Sequence, residues 1–245
     1  MPSIEVDLCL FDLDGTIINT TIAAESAWKR LCHTHRVDPQ ELFKHSHGSR
    51  TEDMFKKFFP LLDNRDGKAV KEFELSLGAD YLDTVRVVPG AESLLLSLDV
   101  DTSTKAKIVD RKWAIITSGS PYLAFSWFDT LLKKVGKPNV FITGFDVKRG
   151  KPDPEGYFAA KVELCKIHGL DLKTSRTVVF EDAPVGIKAG KAIGSLVIGI
   201  TTTYPKDVLF EAGADYVVED LSAVTVTRND NIHGITIDIE KAMSR

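Results

Sequence analysis

Cys9-Leu10-Phe11-Asp12-Leu13-Asp14-Gly15-Thr16 places two carboxylates two residues apart, where an apolar N-terminal run breaks into a Gly-Thr turn. Ile4, Val6, Leu8, Leu10 and Phe11 precede or flank the pair, so Ile4–Phe11 reads as one largely buried strand. Acids in such a place are costly unless something positive neutralises them. Gly15 lets the backbone turn sharply and come close to a ligand. A strand end carrying Asp12 and Asp14 therefore points to a metal-assisted nucleophile.

Behind Thr16 the period changes. Ala24, Ala27, Trp28, Leu31 and Cys32 recur at helical spacing, Met54, Phe55, Phe58 and Phe59 form a second stripe, and a third spans about 68–81. No strand is expected between Ile17 and Arg86. From Val87 onward strand and helix signals alternate: strands at Trp113–Thr117, Val140–Thr143, Thr177–Glu181, Leu196–Thr201 and Tyr216–Val218, helices at Tyr122–Lys134, Glu155–Gly169 and Val185–Gly194. Continuous apolar strands alternating with helices predict a parallel sheet covered on both faces, with ligands beyond the carboxyl ends of its strands. The expected class is α/β: a Rossmann-like core with a parallel sheet, made of residues 1–16 and 87–245, plus an inserted helical cap domain at 17–86. Asp99–Arg111 is polar and without period, a solvated insertion. Val224–Ile239 alternates weakly and reads as an appended hairpin. Gly186, Gly190 and Gly194, four residues apart, predict a smooth helix face against the sheet.

Polar residues collect at the expected strand ends: Asp12 and Asp14, then Thr117-Ser118-Gly119-Ser120, then Glu181-Asp182, with Lys151 in Gly150-Lys-Pro-Asp-Pro154. Parallel strands bring all of these to one edge. Carboxylates gathered there repel one another, which a hard cation relieves; oxygen ligands favour Mg2+. Ser118 and the amides around Gly119 can donate to phosphate oxygens, and Lys151 supplies a fixed positive charge. Phosphate-monoester hydrolysis needs accelerations up to about 10^21, whereas one general acid or base gives about 10^2–10^4. A nucleophile, a metal and a cationic clamp are needed together.

The chain of 245 residues is 43% hydrophobic and 27% charged, a globular balance. Its net charge of −4, without a long Lys or Arg block, speaks against a nucleic-acid partner. No apolar segment reaches the roughly 18 residues of a membrane span. Glu5 and Asp7 stand where a secretory signal carries basic residues. Cys9, Cys32 and Cys165 are odd in number and scattered, as in a reducing compartment. A cytoplasmic monomer is the expectation.

Asp12-Leu-Asp14-Gly-Thr16, Thr117-Ser118-Gly119, Gly150-Lys151-Pro-Asp153-Pro and Val179-Phe-Glu181-Asp182 resemble the four ordered motifs of the haloacid dehalogenase superfamily, in its small-helical-cap phosphatase and phosphoglucomutase branch. Ser46-His47-Gly48-Ser-Arg50-Thr51, Asp146-Val-Lys-Arg-Gly-Lys151-Pro and Phe180-Glu-Asp-Ala-Pro-Val-Gly-Ile187 are similar to the fungal glycerol-phosphate and 2-deoxyglucose-6-phosphate phosphatases. The resemblance covers about residues 4–220. It implies that Asp12 attacks phosphorus and that Asp14 protonates the leaving alkoxide and then activates water. It further implies Mg2+ held by Asp12, the Asp14 carbonyl and Asp182, with Glu181 beside it or one shell out. Ser118, Gly119 and Lys151 would hold the phosphoryl group, and Asp153 would orient Lys151 or a water. His47, Gly48 and Arg50 would face a small phosphorylated sugar or polyol. A sugar phosphomutase is the nearest rival, although such enzymes carry His where Ala24 stands. A phospho-accepting signalling module is the rival of another class; it lacks a cap behind the first strand.

Overall fold

The computed structural model describes residues Met1–Arg245. Its elements in chain order are β1 (Ser3–Val6), β2 (Leu8–Phe11), β3 (Ile18–Asn19), α1 (Thr21–His35), α2 (Pro39–Ser46), α3 (Thr51–Phe58), α4 (Lys68–Asp80), β4 (Arg86–Val87), α5 (Ala91–Leu98) and β5 (Trp113–Ile116). There follow α6 (Pro121–Asp129), β6 (Phe141–Ile142), α7 (Glu155–His168), β7 (Thr177–Glu181), α8 (Pro184–Ala192), β8 (Leu196–Ile200), α9 (Lys206–Ala212), β9 (Tyr216–Val218), β10 (Val224–Asp230) and β11 (Gly234–Ile239).

Six strands form one parallel sheet in the order β6-β5-β2-β7-β8-β9. Numbered along the chain that order is 3-2-1-4-5-6, the doubly wound Rossmann arrangement, in which the winding reverses between the first and fourth strands. Here the reversal falls between β2 and β7, whose register pairs Phe11 with Phe180. Asp12 and Glu181-Asp182 therefore emerge side by side at the crevice where such sheets bind ligands. Side-chain alternation explains the apolar character of β2. Cys9 and Phe11 enter one buried cluster, Leu8 and Leu10 the cluster on the opposite face.

The first apolar run is two strands, not one. In β1 exposure alternates, with Ile4 and Val6 inward and Ser3 and Glu5 outward, whereas all four residues of β2 are buried. β1 pairs antiparallel with β11, which pairs with β10, giving a separate three-stranded sheet. The tail is thus a hairpin, and it finds its third strand at the N-terminus. The polar insertion is exposed over Ser103–Lys107 but anchored at both ends. Arg111 donates to Asp99 at 2.7 Å, and Trp113 Nε1 to the other Asp99 oxygen at 2.9 Å.

Between Ile17 and Arg86 a short ladder appears that the helical periodicity concealed: β3 pairs antiparallel with β4. These strands are the entry to and exit from α1–α4, and pairing them holds the two crossings together. The four helices enclose their own apolar cluster of Trp28, Cys32, Leu42, Met54, Phe55, Phe59 and Val70. Trp28 stacks on Phe59 and meets Phe55 edge-on. No helix is long and apolar enough to cross a membrane.

Candidate active site

Asp12 leaves β2 into the crevice with 4% of its surface exposed. Lys151 Nζ donates to its Oδ1 at 2.6 Å, to Glu181 Oε1 at 2.7 Å and to the Ile116 carbonyl at 3.1 Å. Burial works against the Lys151 charge, but Asp12 and Glu181 outweigh it and hold the ammonium above the usual lysine range. Asp12 Oδ2 is buried and has no hydrogen-bond partner. One oxygen is pinned; the other is bare. Burial raises the Asp12 carboxyl well above its ordinary value, Glu181 and Asp182 add to this, and Lys151 opposes it.

Glu181 is saturated. Its Oε1 accepts from Lys151 and from Tyr157 OH at 2.8 Å, and its Oε2 accepts from the backbone N–H groups of Asp182 and Ala183, both at 3.1 Å. The smooth helix face expected of α8 has a sharper purpose at Gly186. A Cβ there would lie 1.6 Å from Glu181 Oε1, so the missing side chain is the space the carboxylate occupies. Gly190 packs on Val179 as expected, and Gly194 ends the helix in open space.

Asp14 sits on the other side of the turn, half-buried, accepting from Thr20 Oγ1 at 3.2 Å and Thr117 Oγ1 at 3.0 Å. Burial raises its carboxyl, and the two hydroxyls partly offset that. Asp182 accepts from Thr16 Oγ1 at 3.3 Å, and burial with the neighbouring Glu181 raises its carboxyl too. Asp12, Glu181 and Asp182 each present an oxygen within 4.8 Å of the others.

Gly15 makes this approach of chain to carboxylate feasible. Its φ is +98°, and a Cβ would fall 2.0 Å from Asp182 Oδ2. Gly15→Ala is expected to cost about 1–3 kcal/mol through the positive φ alone. It should also push Asp182 out of place, lowering kcat at least about tenfold, the scale of a misplaced catalytic group. Urea unfolding and a steady-state assay check the two parts; a folded variant with wild-type kcat would remove Gly15 from the site.

Helices α1–α4 close the crevice from above. Ser118 Oγ donates to the Gly48 carbonyl at 2.7 Å, and Gly48 lies against Ala183 and Val185. His47 lines the cleft, edge-on to Tyr204, with Nε2 3.5 Å from Glu25. Burial lowers its pKa, against the pull of Glu25. Two expected residues are turned elsewhere. Arg50 was expected to face the ligand. Its guanidinium instead meets Asp53 at 2.7 and 2.8 Å and donates to the carbonyls of Gly144, Val147 and Lys148, so it clasps the loop leading to Lys151. Asp153 accepts from the Glu155 N–H at the start of α7 and pairs with Arg149, leaving it outside the acidic cluster.

A cavity of about 100 Å³ remains between helices and sheet edge, lined by Asp12, Asp14, His47, Gly48, Ser118, Gly119 and Asp182 among others. It is also lined by Glu74 of α4, which had no motif to announce it. Glu74 is 2% exposed and accepts from Thr51 Oγ1 and the Ser120 N–H, both at 2.7 Å. Val70, Glu74 and Leu77 are the buried residues of α4, so the signal was an acid standing on a helix's apolar face.

Known proteins resemble the chain over most of its length. The chain is 64% identical over 246 residues to 2-deoxyglucose-6-phosphate phosphatase 2 of Saccharomyces cerevisiae, covering 100% of both. It is 38% identical to glycerol-1-phosphate phosphohydrolase 1 of the same yeast, over 91% of this chain and 86% of that one. A solved hydrolase from Pseudomonas syringae shares the fold at a TM-score of 0.67 with 23% identity, covering 88% of this chain and 94% of its own. Residues 6–194 match the family described as haloacid dehalogenase-like hydrolase, and the chain belongs to that family.

Proposed function

We propose that this phosphatase of haloacid dehalogenase type hydrolyses a small sugar or polyol phosphate through an aspartyl-phosphate on Asp12. The observation that carries the reading is the asymmetry of Asp12: Lys151 fixes Oδ1, while Oδ2 is buried, unpartnered and part of a residue lining the cavity. An oxygen so held is oriented for attack without competing for its own hydrogen bonds. Asp14, held by Thr20 and Thr117 and raised by burial, is placed to protonate the leaving oxygen and afterwards to deprotonate water. To donate to the phosphoryl oxygens the Ser118 hydroxyl must leave the Gly48 carbonyl and the Gly119 N–H must leave Thr117 Oγ1, so substrate binding exchanges these two bonds. Lys151 balances the phosphoryl charge, and His47 and Gly48 shape the far wall.

The buried all-oxygen cluster of Asp12, Glu181 and Asp182, whose oxygens lie within 4.8 Å of one another, fits a hard divalent cation such as Mg2+. Asp12 and Asp182, with the Asp14 carbonyl, would hold it, and when bound it neutralises charge on the phosphoryl group. Glu181, already saturated, positions Lys151 and does not ligate. Residues 17–86 act as a cap over a core of 1–16 and 87–245, and the β3–β4 ladder is its hinge. The cavity is well below the roughly 300–1,000 Å³ of a drug-sized pocket, which suits a small ester and excludes proteins. The three buried free thiols suit a reducing compartment such as the cytoplasm.

The test is phosphate release from a panel of triose, polyol and hexose phosphates beside a phosphoprotein. Release from small esters that needs Mg2+, stops on chelation and resumes on re-addition is the expected outcome. Phosphoproteins outperforming every small ester, or stoichiometric labelling without turnover, would refute the reading.

A further inference from the structure

The cavity is lined by four acids, Asp12, Asp14, Glu74 and Asp182, and by no lysine or arginine. Arg50 lies in sequence between Ser49 and Thr51, which line the cavity, but its donors are engaged by Asp53 and core carbonyls. Lys151 is held between Asp12 and Glu181, outside the lining, and serves the phosphoryl end alone. His47 is pushed by burial toward its neutral form. With Asp12 and Asp182 committed to the cation at the phosphoryl end, nothing else in the wall can balance a second negative charge on the substrate.

Glu74 makes the wall actively hostile to one. It reaches down from α4 to the reacting end: a methyl placed on Gly119 would lie 3.5 Å from Asp14 Oδ2 and 4.0 Å from Glu74 Oε2. With Asp14 at the leaving oxygen as proposed above, Glu74 stands beside it at the same end of the cavity, next to the leaving group. Burial raises the Glu74 carboxyl above its ordinary value and Asp14 adds to this, while the hydrogen bonds from Thr51, within the same helical block, and from the Ser120 N–H across the cleft oppose the shift.

We infer that Glu74 is a specificity-determining residue that admits esters of neutral polyhydroxy compounds and rejects those carrying a carboxylate or a second phosphate. The inference rests on the phosphatase reading above and deepens it. Neutral hydroxyls can donate to a carboxylate wall, whereas a like charge there is unpaired and desolvated. The same wall disfavours phosphomutase chemistry, which must hold a sugar bisphosphate.

The experiment compares two pairs of esters that differ by one group, CH2OH against carboxylate. They are glycerol 1-phosphate with 3-phosphoglycerate, and sorbitol 6-phosphate with 6-phosphogluconate. The wild-type protein should favour the neutral member in kcat/KM by about 100-fold or more, the scale of like-charge rejection in a closed site. Glu74→Gln keeps an acceptor for the Ser120 N–H and a partner for Thr51 but no charge, and should shrink that ratio by about tenfold or more. Thr51→Val loosens the same contact while leaving the carboxylate, and should keep the ratio. A wild-type ratio near one, an unmoved ratio in Glu74→Gln, or an equal shift in Thr51→Val would each overturn the inference. Failure of the phosphatase reading looks different: neither neutral ester, nor any other small ester, releases phosphate.

Discussion

Asp12→Asn is expected to lower kcat by about 10^4–10^6, the scale on which removing a catalytic nucleophile acts, without loosening the fold. The amide keeps the shape and can still accept from Lys151, so the change isolates nucleophilicity. The stability half follows from linkage. Burial, helped by Glu181 and Asp182, raises the Asp12 carboxyl in the folded protein. A carboxyl whose folded pKa lies above its unfolded value favours folding below the unfolded pKa, and loses that advantage as pH rises through the folded one. As pH rises above the unfolded pKa, Asp12 therefore weighs against the folded state, and a neutral amide removes that cost. In chelated protein the unfolding midpoint of Asp12→Asn should match or exceed that of wild type. Turnover above about 1% of wild type in a folded sample would contradict covalent capture by Asp12.

The parts of this site visible in the sequence are those that the topology carries by itself. Strands buried on both faces read as continuous apolar runs, so their ends, and Asp12, Asp182 and Lys151 with them, could be placed at one sheet edge before any coordinates. Alternation was also there to be read in Ser3-Ile-Glu-Val6, but the unbroken count of apolar residues through Leu8 and Phe11 masked the break at Asp7, and two strands looked like one. The pairing of β3 with β4 was invisible because two-residue strands have no period to detect.

Side-chain direction across the cap was not legible at all. Arg50 and Glu74 differ in which carbonyls, amides and acids meet them when α1–α4 settle on the core, and that is decided by a surface assembled from residues 118–120 and 144–148. Arg50, with a motif, turned out to be a clasp; Glu74, without one, lines the cavity. Asp153 shows the same limit locally, since the helix that begins at Glu155 claims one of its oxygens and Arg149 the other.

Lys151→Met should damage both stability and turnover, and the pH dependence of the damage identifies its cause. The Lys151 side chain is 6% exposed and lies 2.6 Å from Asp12 and 2.7 Å from Glu181. Methionine fills much of the same volume but leaves the carboxylates of Asp12, Glu181 and Asp182 facing one another without a cation. Breaking a buried ion pair from one side costs about 3–5 kcal/mol, and losing a cation that balances transition-state charge costs about 10^2–10^3 in kcat. Without Lys151 the Asp12 carboxyl rises further above its unfolded value, so the folded state binds protons more tightly than the unfolded one. Stability then falls as pH rises. The deficit of the variant in chelated buffer should be small near pH 5 and several-fold larger near pH 8. Lys151→Arg, which keeps the charge on a group too broad for the same pocket, should recover most of the stability and little of the activity. Equal deficits at both pH values would mean that Lys151 acts through packing, and that something other than its charge reconciles three acids at the end of β2 and β7.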